Sequence, residues 1–323
     1  MHMLYLTRQD VEAVGPSMPE IIELLTIAFR EKGEGRTQMP PKMDIHTREN
    51  SFIHSMPAFV PALGAAGLKW ISGYPSNRER DLPYIVGLLV MNDPETGLPI
   101  AVMDAAWITA ERTGAATALA ARHLARTSSN VLAVLGCGVQ GRSNLKALRC
   151  VLPELRRVRA YDIHAESVSA YISEMSRAYP TLEFQATTSP REAVSGADVI
   201  VTAGPILREP RPVIEWAWLK PGVFICPLDY GSYVKPEVFV KADKFLTDDR
   251  EQILDPRSAC YFPGMPALHA DLGEVVAGLR PGRERDSETI VCANLGLAID
   301  DVSVGIEVLR RARAAGRGTK LPL

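Results

Sequence analysis

Two basic side chains occupy positions at which a positive charge needs a partner. Lys69 stands alone in an otherwise apolar, strand-like segment, and an isolated ammonium group is costly to bury. Arg112 lies near the expected start of a helix over Thr109–Arg126, where the helix dipole favours anions over cations. Each could therefore hold an anionic ligand such as a carboxylate. The alternatives are that Lys69 extends its ammonium to solvent and that Arg112 pairs with Asp104 or Glu111.

A glycine-rich loop is the strongest local motif. The apolar run Val131–Leu135 leads into Gly136, Gly138 and Gly141, and a helical segment follows. The first glycine permits a tight turn, the second lets a pyrophosphate approach, and the third lets the helix pack on the strand. Asp162, at the end of the next apolar run, is placed to accept hydrogen bonds from ribose hydroxyls. The pattern predicts a dinucleotide site, and its alternative is a glycine-rich turn of another α/β protein.

The expected cofactor is NAD, because an acid at the ribose repels the extra phosphate of NADP. His164 lies two residues beyond that acid and leaves the strictness of the preference open. Further cofactor contacts are expected from Thr113, Val139, Gln140 and Thr202.

The elements that would position these residues change character along the chain. A capping box at Thr7 and Asp10 predicts a helical N-terminal segment, and a helix is expected again over Ala298–Ala315. The strand-like runs are Lys42–His46, Ser51–Met56, Gly67–Ile71, Ile85–Met91 and Pro99–Met103, and later Val131–Leu135, Val158–Tyr161, Phe184–Ala186, Val199–Thr202, Val223–Cys226, Phe245–Leu246 and Thr289–Cys292. The later runs are uniformly apolar and alternate with helical segments, which is typical of a parallel sheet buried on both faces. The sequence therefore predicts an α/β fold.

Composition excludes several classes of protein. The 323 residues include 36 basic and 38 acidic side chains, a formal net charge of −2, so no binding to nucleic acid or membrane surfaces is expected. Five scattered cysteines form no CxxC pair, and neither a disulfide framework nor a metal site is expected. No signal peptide and no apolar run of roughly 20 residues is visible, so the expected location is cytoplasmic.

Taken together, these motifs resemble the ornithine cyclodeaminase/mu-crystallin family. The segments that carry the resemblance, in the family's order, are Met56-Pro57-Ala58, Gly67-Leu68-Lys69 with Pro75 and Asn77, Ile108 to Ala116, Gly136-x-Gly138-x-x-Gly141, Leu272 to Gly278 with Pro281-Gly282-Arg283, and Gly296 to Val302. They extend from about residue 4 to residue 313, nearly the whole chain.

The resemblance implies a Rossmann-type, doubly wound parallel sheet inserted into a discontinuous α+β lobe. Residues 1–112 with 297–323 would form the lobe that binds substrate and makes a homodimer. Residues 113–296 would form the NAD-binding domain.

The resemblance also implies roles for single residues. Lys42, Lys69 and Arg112 would bind the carboxylate of the substrate, and Asp229 would face its nitrogen, so that Lys69 and Asp229 are the expected catalytic residues. Lys42 stands where the family usually has arginine, which suggests a weaker or differently shaped grip on a carboxylate. The segment from Pro227 to Lys235 replaces the family's usual Gly-Gly/Ala-Asp-x-Pro-Gly-Lys pattern, is longer and more aromatic, and argues against ornithine cyclodeaminase itself.

The expected reaction is the NAD(H)-dependent reduction of an α-imino acid to an L-amino acid, or its reverse. His54, a further expected substrate-binding residue, and Arg78, Arg80 and Arg257 add basic groups near the expected pocket, whereas we find no acidic cluster for a terminal ammonium. A small, dicarboxylic imine such as iminosuccinate, giving aspartate, is therefore favoured. The alternatives are NAD-recycling cyclodeamination, a ketimine reductase, and a non-catalytic, mu-crystallin-like NAD-binding protein.

Overall fold

The computed structural model describes residues 1–207, 209–255 and 261–323. Arg257 and the side chain of Arg78 lie outside this description. Contacts along the chain divide it into two compact units. The discontinuous unit comprises residues 1–113 and 296–323, and the inserted unit comprises residues 114–295.

Strands and helices follow the predicted order over most of the chain. The first part contains β1 (His2–Leu6), α1 (Arg8–Val14), α2 (Met18–Gly33), β2 (Met43–Ile45), β3 (Phe52–Val60), β4 (Ala65–Gly73), β5 (Ile85–Asn92), β6 (Pro99–Asp104) and α3 (Ala106–Leu124). The second part contains β7 (Val131–Leu135), α4 (Val139–Val151), β8 (Arg157–Tyr161), α5 (Ala165–Ala178), β9 (Glu183–Ala186), α6 (Pro190–Val194), β10 (Val199–Thr202), β11 (Phe224–Pro227), α7 (Pro236–Lys241), β12 (Lys244–Thr247), α8 (Arg250–Leu254), β13 (Ala270–Asp271), α9 (Leu272–Val276), β14 (Ile290–Ala293), α10 (Ala298–Ala314) and β15 (Thr319–Pro322). Within the described ranges, none of the helices combines the length and the apolar character that crossing a membrane requires.

The discontinuous unit is built on a mixed sheet of seven strands. Their order is β15-β1-β6-β5-β4-β3-β2, with β1 parallel to β6 and every other neighbouring pair antiparallel. The predicted capping box is confirmed, because the side chains of Thr7 and Asp10 each accept the backbone N–H of the other at the start of α1. Helix α10 packs on β3, β4 and β5, which buries the face of β4 that carries Lys69 and Ile71.

The inserted unit is built on a parallel sheet of eight strands, which confirms the predicted α/β class. Their order is β13-β12-β14-β11-β10-β7-β8-β9. Most strands are buried along their whole length, as the uniformly apolar runs predict. From β7 the chain continues to β8 and β9 on one side and then to β10 and β11 on the other, so the strand order reverses between β7 and β10. Ligands of such sheets bind beyond the carboxyl ends of the strands at this reversal.

Candidate functional site

Lys69 is buried on the inner face of β4. Its side chain is 1% exposed, and it lies opposite Met56 of β3 in the sheet register. Its Nζ lies 2.7 Å from Oδ2 of Asp301, which is itself fully buried. The ammonium therefore does not reach solvent, and the structure supplies the partner that its burial requires.

Arg112 joins the same group of charges from α3. Its Nε donates to Oδ1 of Asp301 at 3.0 Å, and its Nη1 lies 3.3 Å from Oδ2 of Asp300. Gly296 has a left-handed φ of 81°, which favours glycine, and a Cβ on it would lie 2.7 Å from Nη1 of Arg112. The expected position of Arg112 at a helix start is wrong. Helix α3 begins at Ala106, whose N–H is accepted by the carboxylate of Asp104, so Arg112 lies in the second turn.

Asp300 and Asp301 are the functional residues that sequence reasoning missed. Both are fully buried in the first turn of α10, where the helix dipole stabilises acids. Asp300 also accepts the N–H of Leu297 at 3.3 Å. Both acids are paired with Lys69 or Arg112, so they act as counterions of these cations. The sequence contained a signal for them, because Lys69 in an apolar segment and Arg112 near a helix start each needed an anionic partner, and two adjacent acids lie in a segment that carries the resemblance.

The surroundings of Lys69 bring its titration into the neutral range. Burial is the largest influence, and together with the charge of Arg112 it lowers the pKa of Lys69 from 10.5 to about 7. Asp301 acts in the opposite direction, through its charge and its hydrogen bond. A lysine of this kind can hold a carboxylate while protonated and can exchange a proton near neutral pH.

His54 does not add the positive charge that the sequence suggested. It lies on β3 opposite Asp44 and Ile71, and its ring stacks on Phe52 with centroids 4.2 Å apart. Burial, followed by the charges of Lys42 and Lys69, lowers its pKa to about 2. His54 is therefore neutral at physiological pH and can offer a ligand hydrogen bonds only.

Lys42 belongs to the same part of the sheet. It lies immediately before β2, and its charge lowers the pKa values of both His54 and Lys69. The structure thus brings together Lys42, His54, Lys69 and Arg112, the four residues assigned to substrate binding from the sequence.

The glycine loop has the geometry of a dinucleotide site. Gly136 has φ of 106°, and a Cβ there would lie 2.5 Å from the carbonyl oxygen of Ala203. A Cβ on Gly141 would collide with the carbonyl oxygen of Gly136. At Gly138, immediately before α4, a Cβ would meet no described atom within 4 Å. The first and last glycines are thus required by the protein itself, whereas the middle one borders open space at a helix N-terminus. These residues fit a bound pyrophosphate.

The acid of the predicted ribose contact lies against this loop. Asp162 accepts the N–H of Cys137 at 2.8 Å through Oδ2 and the N–H of His164 at 3.1 Å through Oδ1. A carboxylate has further lone pairs for two ribose hydroxyls. Asp162 therefore holds the shape of the loop in addition to its expected role.

The remaining predicted cofactor residues differ in how their side chains are placed. Val139 is exposed at the start of α4, and Oε1 of Gln140 accepts the hydroxyl of Ser143 at 3.2 Å. The hydroxyl of Thr113, which lies in the discontinuous unit, donates to the carbonyl of Thr109. The hydroxyl of Thr202 donates to Asp229, so Thr202 orients an acid.

Asp229 is a fully buried carboxyl group just after β11, the fifth strand of the inserted unit in chain order. Its Oδ1 accepts the hydroxyl of Thr202 at 2.9 Å, and its Oδ2 accepts the N–H of Gly204 at 3.4 Å. Burial outweighs these hydrogen bonds and raises the pKa of Asp229 from 3.8 to about 6. Such a group can both donate and accept a proton close to neutral pH.

The segment that follows Asp229 has a strained backbone. Tyr230 adopts a left-handed φ of 55°, which is uncommon for a residue other than glycine. Its hydroxyl donates to the carbonyl of Leu295 at 2.7 Å, and its ring contacts Tyr261 and Phe262. The aromatic residue thus anchors the chain immediately after the acid.

The chain is similar to a single family over nearly its full length. The model of the family described as "Ornithine cyclodeaminase/mu-crystallin family" matches residues 1–316. Among curated proteins, the alanine dehydrogenase of Archaeoglobus fulgidus is 36% identical over 329 residues, which cover 99% of this chain and 98% of that protein.

Solved structures lead to the same group of proteins. The Delta(1)-pyrroline-2-carboxylate reductase of Thermococcus litoralis, in complex with NADH and L-proline, superimposes with a TM-score of 0.91 and is 32% identical, covering 99% of this chain and 100% of its own. An archaeal alanine dehydrogenase dimer with bound NAD gives a TM-score of 0.89 at 35% identity, covering 100% of both chains.

Proposed function

Because the chain belongs to the ornithine cyclodeaminase/mu-crystallin family, we propose that it interconverts a small 2-imino acid and the corresponding L-amino acid. The chain is an NAD-dependent oxidoreductase, as its relatives named dehydrogenase and reductase indicate. The reductive direction forms an amine from a C=N bond, and the oxidative direction reverses it.

The observation that carries this proposal is the buried carboxyl group of Asp229. An imine carbon accepts a hydride readily only when its nitrogen is protonated, so the reaction needs a nearby group that exchanges protons around neutral pH. With a pKa of about 6, Asp229 is present in both protonation states there. We assign it the exchange of a proton with the substrate nitrogen.

The carboxylate of the substrate is assigned to Lys69 and Arg112. The acids Asp300 and Asp301 hold both cations in place, so their geometry is set before a ligand arrives, and less ordering is needed on binding. Lys42 adds a third basic side chain beside Lys69. This arrangement would orient the imine carbon for reaction.

The glycine loop and Asp162 are assigned to the dinucleotide. NAD(H) supplies or accepts the hydride when bound. The loop backbone and the start of α4 would hold its pyrophosphate, and Asp162 would bind a ribose. We propose further that the inserted unit is the NAD-binding domain and that the discontinuous unit binds the substrate.

A substrate with one carboxylate and a small side chain fits this site best. The neutral state of His54 removes one of the cations that a second carboxylate would use. Two of the relatives are named for alanine and for Delta(1)-pyrroline-2-carboxylate. Iminosuccinate is the second candidate, since Lys42, Lys69 and Arg112 together provide three basic side chains.

We also propose a homodimer that forms through the outer face of the seven-stranded sheet. Trp70 of β4 and Leu88 of β5 lie directly opposite each other on this face and are each 44% exposed. Val86 continues the apolar surface and is 46% exposed. An apolar surface of this kind favours association, and a second copy of the chain is its proposed occupant because a relative with the same fold is a dimer.

The proposed reaction is tested by following NADH oxidation with ammonia and a panel of 2-oxo acids. Pyruvate, glyoxylate, oxaloacetate and 2-oxoglutarate would be compared with preformed Delta(1)-pyrroline-2-carboxylate, and alanine, proline and aspartate would be tested with NAD. Oxidation with pyruvate or the cyclic imine supports the proposal, and preference for oxaloacetate would select iminosuccinate. Proline and ammonia formed from ornithine without net NADH would instead establish cyclodeamination.

A further inference from the structure

Tyr233 lies four residues beyond Asp229, in the aromatic segment that departs from the family pattern. Its ring packs on Gly204, because a Cβ there would lie 2.7 Å from Cε2 of the tyrosine. Its carbonyl accepts the N–H groups of Val213 and Ile214 at 2.9 and 2.8 Å. The hydrogen bonds fix the backbone of Tyr233, and the ring lies on Gly204, the second residue after β10.

This position is next to the glycine loop. A Cβ on Gly136 would lie 3.1 Å from the nitrogen of Gly204, so Gly204 touches the turn of the loop on one side and the Tyr233 ring on the other. The charges of Asp162 and Asp229 both act on Tyr233 and, after burial, raise its pKa. The ring therefore lies near the acid assigned to a ribose and also near the acid assigned to the substrate nitrogen.

The hydroxyl of Tyr233 can donate a hydrogen bond to a ligand. Half-buried tyrosines usually direct the hydroxyl to a hydrogen-bond partner, yet across residues 1–207, 209–255 and 261–323 no group forms a hydrogen bond with this one. The raised pKa keeps the phenol protonated, and a protonated phenol donates to anionic oxygens.

We propose that the Tyr233 hydroxyl donates a hydrogen bond to the pyrophosphate of the bound dinucleotide. The pyrophosphate is the part of the cofactor that the glycine loop holds, and it lies between the ribose and the reacting ring of NAD. This inference rests only on the NAD-binding part of the proposed function and not on the identity of the substrate.

The test is the affinity of Tyr233→Phe for nucleotides, measured by the fluorescence of bound NADH and by its displacement. The matched control is Tyr230→Phe, which removes the same atom from the same segment but breaks the hydrogen bond to Leu295. A hydrogen bond to a charged acceptor corresponds to a loss of about tenfold in affinity or more. We expect Tyr233→Phe to bind both NADH and ADP-ribose about tenfold more weakly, and the control to bind them normally.

The probes locate the contact. ADP-ribose retains the pyrophosphate, whereas AMP lacks it, so the affinity for AMP should be unchanged in Tyr233→Phe. Unchanged NADH affinity would overturn the proposal, as would weaker binding of NADH with normal binding of ADP-ribose, since the contact would then be to the nicotinamide side. An equal loss for AMP would overturn it in favour of the adenosine side. Because no turnover is measured, a failed substrate assay leaves this test intact.

Discussion

Nζ of Lys69 and Oδ2 of Asp301 form a fully buried ion pair across 2.7 Å. The two residues are far apart in the chain and meet because α10 packs on β4. Oδ1 of the same carboxylate accepts Nε of Arg112. One aspartate therefore holds both cations that we assign to the substrate carboxylate, and the charge state of Lys69 depends on it.

Asp301→Asn is expected to weaken substrate binding in a pH-dependent way. Asp301 raises the pKa of Lys69, so its replacement lowers that pKa below about 7 and leaves less of the ammonium at neutral pH. KM for the amino acid should rise about tenfold at neutral pH, corresponding to about 1.4 kcal/mol, and recover partly in acid. The control is Lys69→Met, whose KM should be high at every pH. An unaltered KM profile in Asp301→Asn would contradict the proposed carboxylate site.

Lys69 should also make the stability of the ligand-free protein depend on pH. Its pKa is about 7 in the folded protein and 10.5 as the reference value, so between these values the unfolded chain binds more protons. The free energy of unfolding should therefore rise as the pH increases through this window. Urea unfolding at a series of pH values measures it, and Lys69→Met should lose this part of the rise. If the free energy of unfolding rises equally with pH in the wild type and in Lys69→Met, the pKa of Lys69 is not lowered.

Asp229→Asn is expected to abolish turnover while leaving NADH binding intact. In the wild-type protein, reduction should accelerate as the pH falls towards about 6, because protonated Asp229 can then donate. Oxidation should show the opposite trend. The measurement is kcat/KM against pH in both directions, with NADH affinity as the control. A variant that retains most of its activity would remove Asp229 from the mechanism.

The same substitution should change stability with a definite sign. The pKa of Asp229 is about 6 in the folded protein, and its reference value is 3.8. Between these two pH values the folded protein binds more protons than the unfolded chain, so the free energy of unfolding falls as the pH rises. Relative to wild type, Asp229→Asn should gain about 3 kcal/mol in free energy of unfolding across this window. Chemical unfolding at both ends of the window measures the difference, and a constant difference would refute the raised pKa.

Asp162→Asn should reduce discrimination between NADH and NADPH. The amide keeps an oxygen for the N–H of Cys137 but removes the charge that repels the extra phosphate of NADPH. The kcat/KM for NADH divided by that for NADPH should therefore fall about tenfold. Asp162→Ala serves as the harsher comparison, because it also frees the loop and should weaken both cofactors. If the cofactor ratio stays the same in both variants, another residue sets the preference.

Trp70→Glu is expected to dissociate the proposed homodimer. A charge at this exposed position would be buried without a partner in an interface, which is costly. Sedimentation or light scattering should show a monomer, while Leu98→Glu, a change at another exposed apolar residue, should leave the dimer intact. A monomeric wild-type protein would exclude the dimer. A dimer that survives Trp70→Glu would place its interface elsewhere.

Local patterns in the sequence predicted most of this fold, because strand and helix periodicity and glycine spacing are local properties. Strands β1 and β15 were missed for the converse reason. Each is short, and their pairing joins the two ends of the chain, which no local window contains. The start of α3 was misplaced because the carboxylate of Asp104, outside the apolar pattern, accepts the first free N–H group.

The candidate site was predictable only in part. The need of Lys69 and Arg112 for counterions followed from their surroundings, but their identity as Asp300 and Asp301 depends on the packing of α10 and not on spacing. The neutral state of His54 likewise depends on its burial beside Lys42 and Lys69. The sequence showed that the segment around Tyr233 is unusual, but not that its ring lies on Gly204.

The pairing of β15 with β1 limits association of chains through the edge of the seven-stranded sheet. Strand β15 forms one edge of the seven-stranded sheet and includes Lys320 and Pro322, residue types that deter the addition of foreign strands. A chain cut before residue 319 would leave the backbone of β1 open as a template for cross-strand aggregation.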